Sequence, residues 1–181
     1  MKLCQIEATV AARTAQLASE REWPCRRGCD DCCRSLPTGE PVVSRAEWDR
    51  LRPALLGLED RIRQRDPASR TCPLLDSGVC LVYEARPIAC RSYGFYADRG
   101  KVLGCHRIEA LAAAAPGIVW GNQASLEREL DQELGAARPL SAWLAGMIAS
   151  GKDADAERVP EHDGGGARAA RPAEHRADSG R

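Results

Sequence analysis

The stretch Cys25-Arg26-Arg27-Gly28-Cys29-Asp30-Asp31-Cys32-Cys33 decides how this chain is read. It places four thiols within nine residues. Thiolates two or three positions apart can converge on one metal centre, because a tight turn points their sulfurs the same way. Gly28 supplies the backbone freedom such a turn needs. Single cysteines follow at Cys72, Cys80, Cys90 and Cys105, separated by 8, 10 and 15 positions. These eight residues are the candidate metal ligands. They are compatible with two four-thiolate sites or with one site and spare thiols. Cysteine is also a common small buried residue, and Cys4, placed on the apolar face of the first helix, is read as core.

The surroundings favour chelation over crosslinking. The chain has 181 residues, which suggests one domain and a tail. A domain of that size builds a core without disulfides. The N-terminal run Met1–Glu22 is interrupted by Gln5, Glu7, Thr9 and Arg13, so it has no apolar core of signal-peptide length. No stretch is long and apolar enough for a membrane span. A cytoplasmic location follows, where cysteines serve as metal ligands or catalytic groups more often than as disulfides. Nine cysteines are also an odd number for a paired framework. The formal net charge is zero, so neither nucleic acid nor a membrane surface is expected as partner. The expected partner is a metal ion or cluster.

The pattern predicts a mainly α fold, with a small α+β arrangement as the variant, whose helices surround an irregular, cysteine-rich metal-binding centre. Leu3, Ile6, Val10 and Leu17 recur at helical spacing over residues 3–20. Ser44 and Glu47 form a capping box, opening a helix that Pro53 kinks or divides before Asp66-Pro67. Residues 70–105 read as loops and short strands. Helix returns at 108–115, then from an Asn122 cap to Leu134 with Gly135 as its stop. A last helix, 140–150, places Leu140, Trp143, Leu144, Met147 and Ile148 on one stripe, with Gly151 ending it. The expected organisation is one domain over 1–151, its motif core at 25–105 and its helical C-terminal part at 107–150. Residues 152–181 lack large apolar groups and are expected to be a disordered tail.

The order of these motifs is specific. The cysteine run, then Cys72-Pro73-Leu74-Leu75, Gly78-Val79-Cys80-Leu81-Val82-Tyr83-Glu84, Arg86-Pro87-Ile88-Ala89-Cys90-Arg91-Ser92-Tyr93-Gly94 and Cys105 resemble the YkgJ-type cysteine-cluster family. The resemblance implies zinc or iron chelation by the eight cysteines. The family signature often has two residues between its first two cysteines, and here there are three. The cysteine motif is similar as well to that of flagellin lysine N-methylases, which makes a metal-dependent, protein methyltransferase-like enzyme the alternative function by analogy.

Zinc and iron–sulfur both remain open, with iron–sulfur slightly preferred. Structural zinc commonly uses two Cys-x2–4-Cys pairs, and only the first half here has that form. Iron–sulfur clusters accommodate a compact run plus a distant ligand. Arg86 and Arg91 flank Cys90 and are candidates to donate to the sulfurs or balance their charge, or else to bind backbone carbonyls. His106 is read as a hydrogen-bonding neighbour of the centre, and Asp30 and Asp31 as turn residues facing water. Tyr83, Tyr93, Phe95 and Tyr96 are expected to shield the centre. The spacing Cys25-x3-Cys29-x2-Cys32 matches that of radical S-adenosylmethionine enzymes, but no strand–helix alternation suggests their barrel. Thiol redox chemistry at Cys32-Cys33 would need a strained vicinal bridge. No catalytic residue is assigned.

Overall fold

The structure is a computed structural model that describes residues 2–35, 39–66 and 69–156. In chain order it contains α1 (Lys2–Glu20), α2 (Asp31–Arg34), β1 (Val42–Val43), α3 (Arg45–Leu51) and α4 (Glu59–Arg63). Next come β2 (Leu75–Asp76), β3 (Val79–Cys80), α5 (Ile88–Ser92), β4 (Tyr96–Asp98) and β5 (Lys101–Val102). The C-terminal part holds α6 (His106–Ala114), β6 (Gly121–Asn122), α7 (Gln123–Leu134), β7 (Arg138–Pro139) and α8 (Leu140–Ala156). The protein is mainly α, and its strands are two or three residues long. They tie loops together: β1 to β7, the β2–β3 hairpin, and β4 between antiparallel β5 and parallel β6.

The helices form where the apolar period predicts them. In α1 the buried residues are Leu3, Ile6, Val10 and Leu17. Cys4 is exposed, not core: one position past Leu3, it is turned about 100° from the buried stripe. The Ser44–Glu47 capping box is complete. α3 stops at Leu51, and Pro53 falls in a 3-10 turn, Arg52–Leu55, since its ring has no N–H to continue the ladder. Asn122 accepts from the Ser125 N–H to cap α7, and Gly135 ends that helix at φ 74°. Gly151 does not end α8, which runs on to Ala156; a glycine stops a helix where it adopts positive φ, as Gly135 does. The tail expectation over residues 157–181 lies outside the described residues.

Two hydrophobic cores result. The first packs α1 against α5, α6 and α7 through Ile6, Val10, Ile88, Ile108 and Leu126, with Trp23 stacked on Phe95 at 5.1 Å. The second gathers Val43, Trp48, Leu51, Leu55, Leu74 and Leu140, with Trp48 stacked on Trp143 at 5.4 Å. Glu47 joins them. Its carboxylate accepts from the Ser44 N–H (3.0 Å) and hydroxyl (2.8 Å), and from the Ile88 N–H at 2.9 Å. That last donor belongs to the first turn of α5, which has no partner inside its own helix. The buried charge is thereby satisfied three times, and the helix carrying Cys90 is fastened to α3.

Candidate metal centre

The cysteine run folds as predicted around its glycine. Gly28 takes φ 85°, and the Cys29 N–H donates to the Arg26 carbonyl at 3.1 Å. The next residues form the short helix α2, which carries Cys32 and Cys33 side by side with their sulfurs 4.0 Å apart. Cys33 is tied to the downstream half of the motif, because its carbonyl accepts the Cys72 N–H at 2.7 Å. The chain turns after Cys72 (Leu75 N–H to Cys72 carbonyl, 3.0 Å) into the hairpin that sets Leu75 opposite Cys80. Residues 70–105 are loops and short strands, as expected, with two additions: a 3-10 turn at Tyr83–Ala85 and α5, on which Cys90 rides. Cys105 stands at the N-terminus of α6, and its carbonyl accepts the Ile108 and Glu109 N–H groups.

All eight thiols are unpaired. Cys72 is buried, and the other seven are half-buried. Burial, then neighbouring Cys105, Cys32 and Cys29, push the Cys25 thiol from 9.0 up to about 12. The hydrogen bond with Cys33, then burial, raise Cys32. At Cys33 that same hydrogen bond has the largest effect and lowers the thiol, but Cys72 and burial outweigh it and leave the group at about 12. Burial dominates at Cys90, also pushed up to about 12, with Cys33, Cys80 and Cys32 adding to it. Cys80 is raised mainly by burial. Cys25, Cys32, Cys33, Cys80 and Cys90 are thus held as neutral thiols at pH 7, and metal uptake at these positions must displace their protons.

One cation opposes this trend. The Arg86 charge lowers Cys25, Cys32, Cys80 and Cys90. Its guanidinium lies 3.7 Å from the Tyr83 ring centroid, and its Nε donates to the Tyr83 carbonyl at 3.0 Å. Arg91 donates to the carbonyls of Arg86 (2.7 Å) and Glu84 (2.8 Å). Arg91 therefore braces the loop, and Arg86 presents charge to the thiols. Tyr93 lies against the same group: burial, then Cys32 and Cys105, raise its hydroxyl to about 12.

Asp30 and Asp31 do not face water freely. Asp30 pairs with Arg34 at 2.6 Å, and Asp31 pairs with Arg107 at 2.8 Å. Asp31 also lies 3.8 Å from the Cys29 sulfur. With Cys105 and the exposed His106 it forms the one group, among the described residues, whose potential ligand atoms all lie within 4.8 Å of one another. Asp31 was hidden in the sequence because nothing local showed that α6 returns beside α2. Gly94, at φ 86°, is packed against the Cys25 sulfur, and a Cβ there would stand 2.5 Å from it.

The chain is mainly α with an irregular, cysteine-rich centre, where Arg86 acts on Cys25, Cys32, Cys80 and Cys90. Residues 24–112 match the family CxxCxxCC, described as "Putative zinc- or iron-chelating domain". This segment contains all eight clustered cysteines. No curated protein and no solved structure matches the chain. Among the described residues, no helix is long and apolar enough to cross a membrane.

The raised thiols make the metal-free protein sensitive to alkali. Their neutral forms are favoured by folding, so their contribution is intact below the unfolded value near 9.0 and is lost as pH rises toward about 12. Denaturant midpoints of the reduced, metal-free protein are expected to hold between pH 7 and 8.5 and to fall steadily above pH 9. A flat midpoint up to pH 11 would contradict the burial of these groups. Loading with metal should remove the alkaline loss, because the ligands are then already thiolates.

Proposed function

We propose that this protein is a cytoplasmic metal-binding protein whose centre is held by Cys25, Cys29, Cys32, Cys33, Cys72, Cys80, Cys90 and Cys105. The observation that carries this reading is the meeting of three distant segments, 25–33, 72–90 and 105: the Cys72 N–H donates to the Cys33 carbonyl, and the Cys25 sulfur packs at Gly94 beside Ile108 of the helix that Cys105 opens. Eight soft donors with Arg86 to balance their charge suit zinc or an iron–sulfur cluster, and hard cations poorly. Arg86 would offset the negative charge of thiolate ligation. Tyr93 and the aromatic pair Trp23–Phe95 would limit water on one side.

Iron–sulfur remains the preferred occupant. Four thiolates around one zinc stand about 3.8 Å apart, given Zn–S distances near 2.3 Å. Among the described residues no three cysteine sulfurs lie mutually within 4.8 Å. A cluster that places each thiolate on a separate iron tolerates wider spacing. The test is anaerobic purification with iron, acid-labile sulfide and zinc measured per chain, beside the visible spectrum. Matching iron and sulfide in a brown protein supports the preferred occupant. Zinc in a colourless protein supports chelation and overturns the iron–sulfur preference. A folded protein that takes up neither metal overturns the reading.

A further inference from the structure

We infer that the eight cysteines form two separate four-thiolate centres, Cys25, Cys29, Cys32 and Cys105 in one and Cys33, Cys72, Cys80 and Cys90 in the other. The peptide bond between Cys32 and Cys33 is their boundary. This rests on the metal-binding reading above and adds a partition to it.

The first argument is local geometry. Cys32 and Cys33 are consecutive in α2, so their side chains leave the helix about 100° apart. Two neighbours splayed in this way serve two centres more readily than adjacent corners of one. Their sulfurs are 4.0 Å apart, a separation that leaves the two sets touching at this seam.

The second argument is packing. Cys25 and Cys105 lie against the first core, formed by α1, α5, α6 and α7. Cys33 and Cys80 lie against the second core, and Cys72 is one of its buried members. None of these five appears in both, while Cys90, on the first-core helix α5 but belonging to neither cluster, is assigned by its neighbours below. The backbone follows the same division. The Cys33 carbonyl receives the Cys72 N–H, and the turn at Cys72 leads into the hairpin containing Cys80. On the other side, the Cys29 sulfur meets Asp31, and Asp31 meets Cys105. The Cys25 sulfur sits on Gly94, which also contacts Ile108 of α6, the helix opened by Cys105.

The remaining two assignments follow from neighbours. Cys25 is acted on by Cys105, Cys32 and Cys29, and Cys33 by Cys72 and Cys80. Cys90 is acted on by Cys33 and Cys80. Cys32 reaches across the seam to Cys80 and Cys90 as well. Its side chain diverges from that of Cys33 within α2, and this assigns it to the first set, which leaves four thiols on each side. Arg86 acts on members of both sets and stands as their shared counter-charge.

The test uses the full chain, reduced, stripped of metal and titrated with cadmium-113 alone, read by cadmium NMR and by native mass spectrometry. Two resonances in the all-thiolate range and two cadmium ions per chain are expected. Cys29→Ser should abolish or shift one resonance and Cys80→Ser the other, each variant keeping the second. The Cys29→Ser, Cys105→Ser pair should lose no more than one ion, whereas Cys29→Ser with Cys80→Ser should lose both. A single all-thiolate resonance in the unmodified chain, or loss of both ions in the Cys29→Ser, Cys105→Ser pair, overturns the partition and leaves chelation standing. No cadmium binding by the unmodified, folded chain also overturns the partition into four-thiolate sites, while the iron, sulfide and zinc content of the purified protein decides the metal-binding reading itself. The unmodified chain decides between these outcomes even if the variants fail to fold.

Discussion

Stripping the metal from the loaded protein is expected to lower its melting temperature by roughly 8–16 °C and to release residues 24–35 and 70–105 from protection. The walls of the centre are short: α2 has four residues, α5 has five, and β2 and β3 have two each. Isolated helices below about 12 residues are marginal in water, so these pieces hold their shape through ties to something else. Metal–thiolate bonds are such ties, and their formation is coupled to folding. Structural zinc returns roughly 10–16 kcal/mol in small peptides. If only about 4 kcal/mol of that reaches global stability here, the shift is roughly 8–16 °C for a domain of this size. α1 and α7 rest on the first core and should retain their helix signal. Calorimetry of loaded and stripped protein, with hydrogen exchange by segment, checks both parts. Equal melting temperatures, with unchanged protection over 70–105, would contradict a centre that organises these loops.

The second large effect is expected at Gly94. An alanine there must hold a left-handed backbone at φ 86° and place its Cβ 2.5 Å from the Cys25 sulfur and 3.4 Å from Ile108. The backbone alone costs about 1–2 kcal/mol, and overpacking adds about 1–3 kcal/mol. Gly94→Ala should therefore lose roughly 2–5 kcal/mol of stability and bind metal more weakly through Cys25. Gly28→Ala is the built-in comparison. Gly28 has nearly the same backbone, φ 85°, with nothing within 4 Å of its would-be Cβ, so it should incur the backbone cost alone. Denaturation midpoints and metal content of the two variants separate the effects. Equal losses in both would mean that the Cys25 sulfur does not press on Gly94.

Much of the architecture was legible because its signals are local. The spacing of Leu3, Ile6, Val10 and Leu17 shows α1. Ser44 with Glu47 marks the start of α3, and Asn122 with Gly135 bounds α7. Each is a relation among residues within a few turns of one helix, so it survives without knowledge of the rest. Cys4 shows the limit of that reasoning. An apolar residue near a stripe was read as core, but 100° of helix rotation leaves it in solvent.

By itself the sequence determined α1, the capped starts of α3 and α7, the order of the eight clustered cysteines and the family that this order matches. Which thiols lie near one another is a matter of tertiary structure, because distances between residues 25, 72 and 105 depend on how two cores pack rather than on any local pattern. Tertiary structure also decided that Arg86 faces the sulfurs while Arg91 holds carbonyls. Two arginines flanking one cysteine look alike in sequence, and only the path of the loop separates them. The same holds for Glu47. Its role as a helix cap was written in the four residues from Ser44, but its hold on Ile88 spans 41 positions and exists only because α3 and α5 meet.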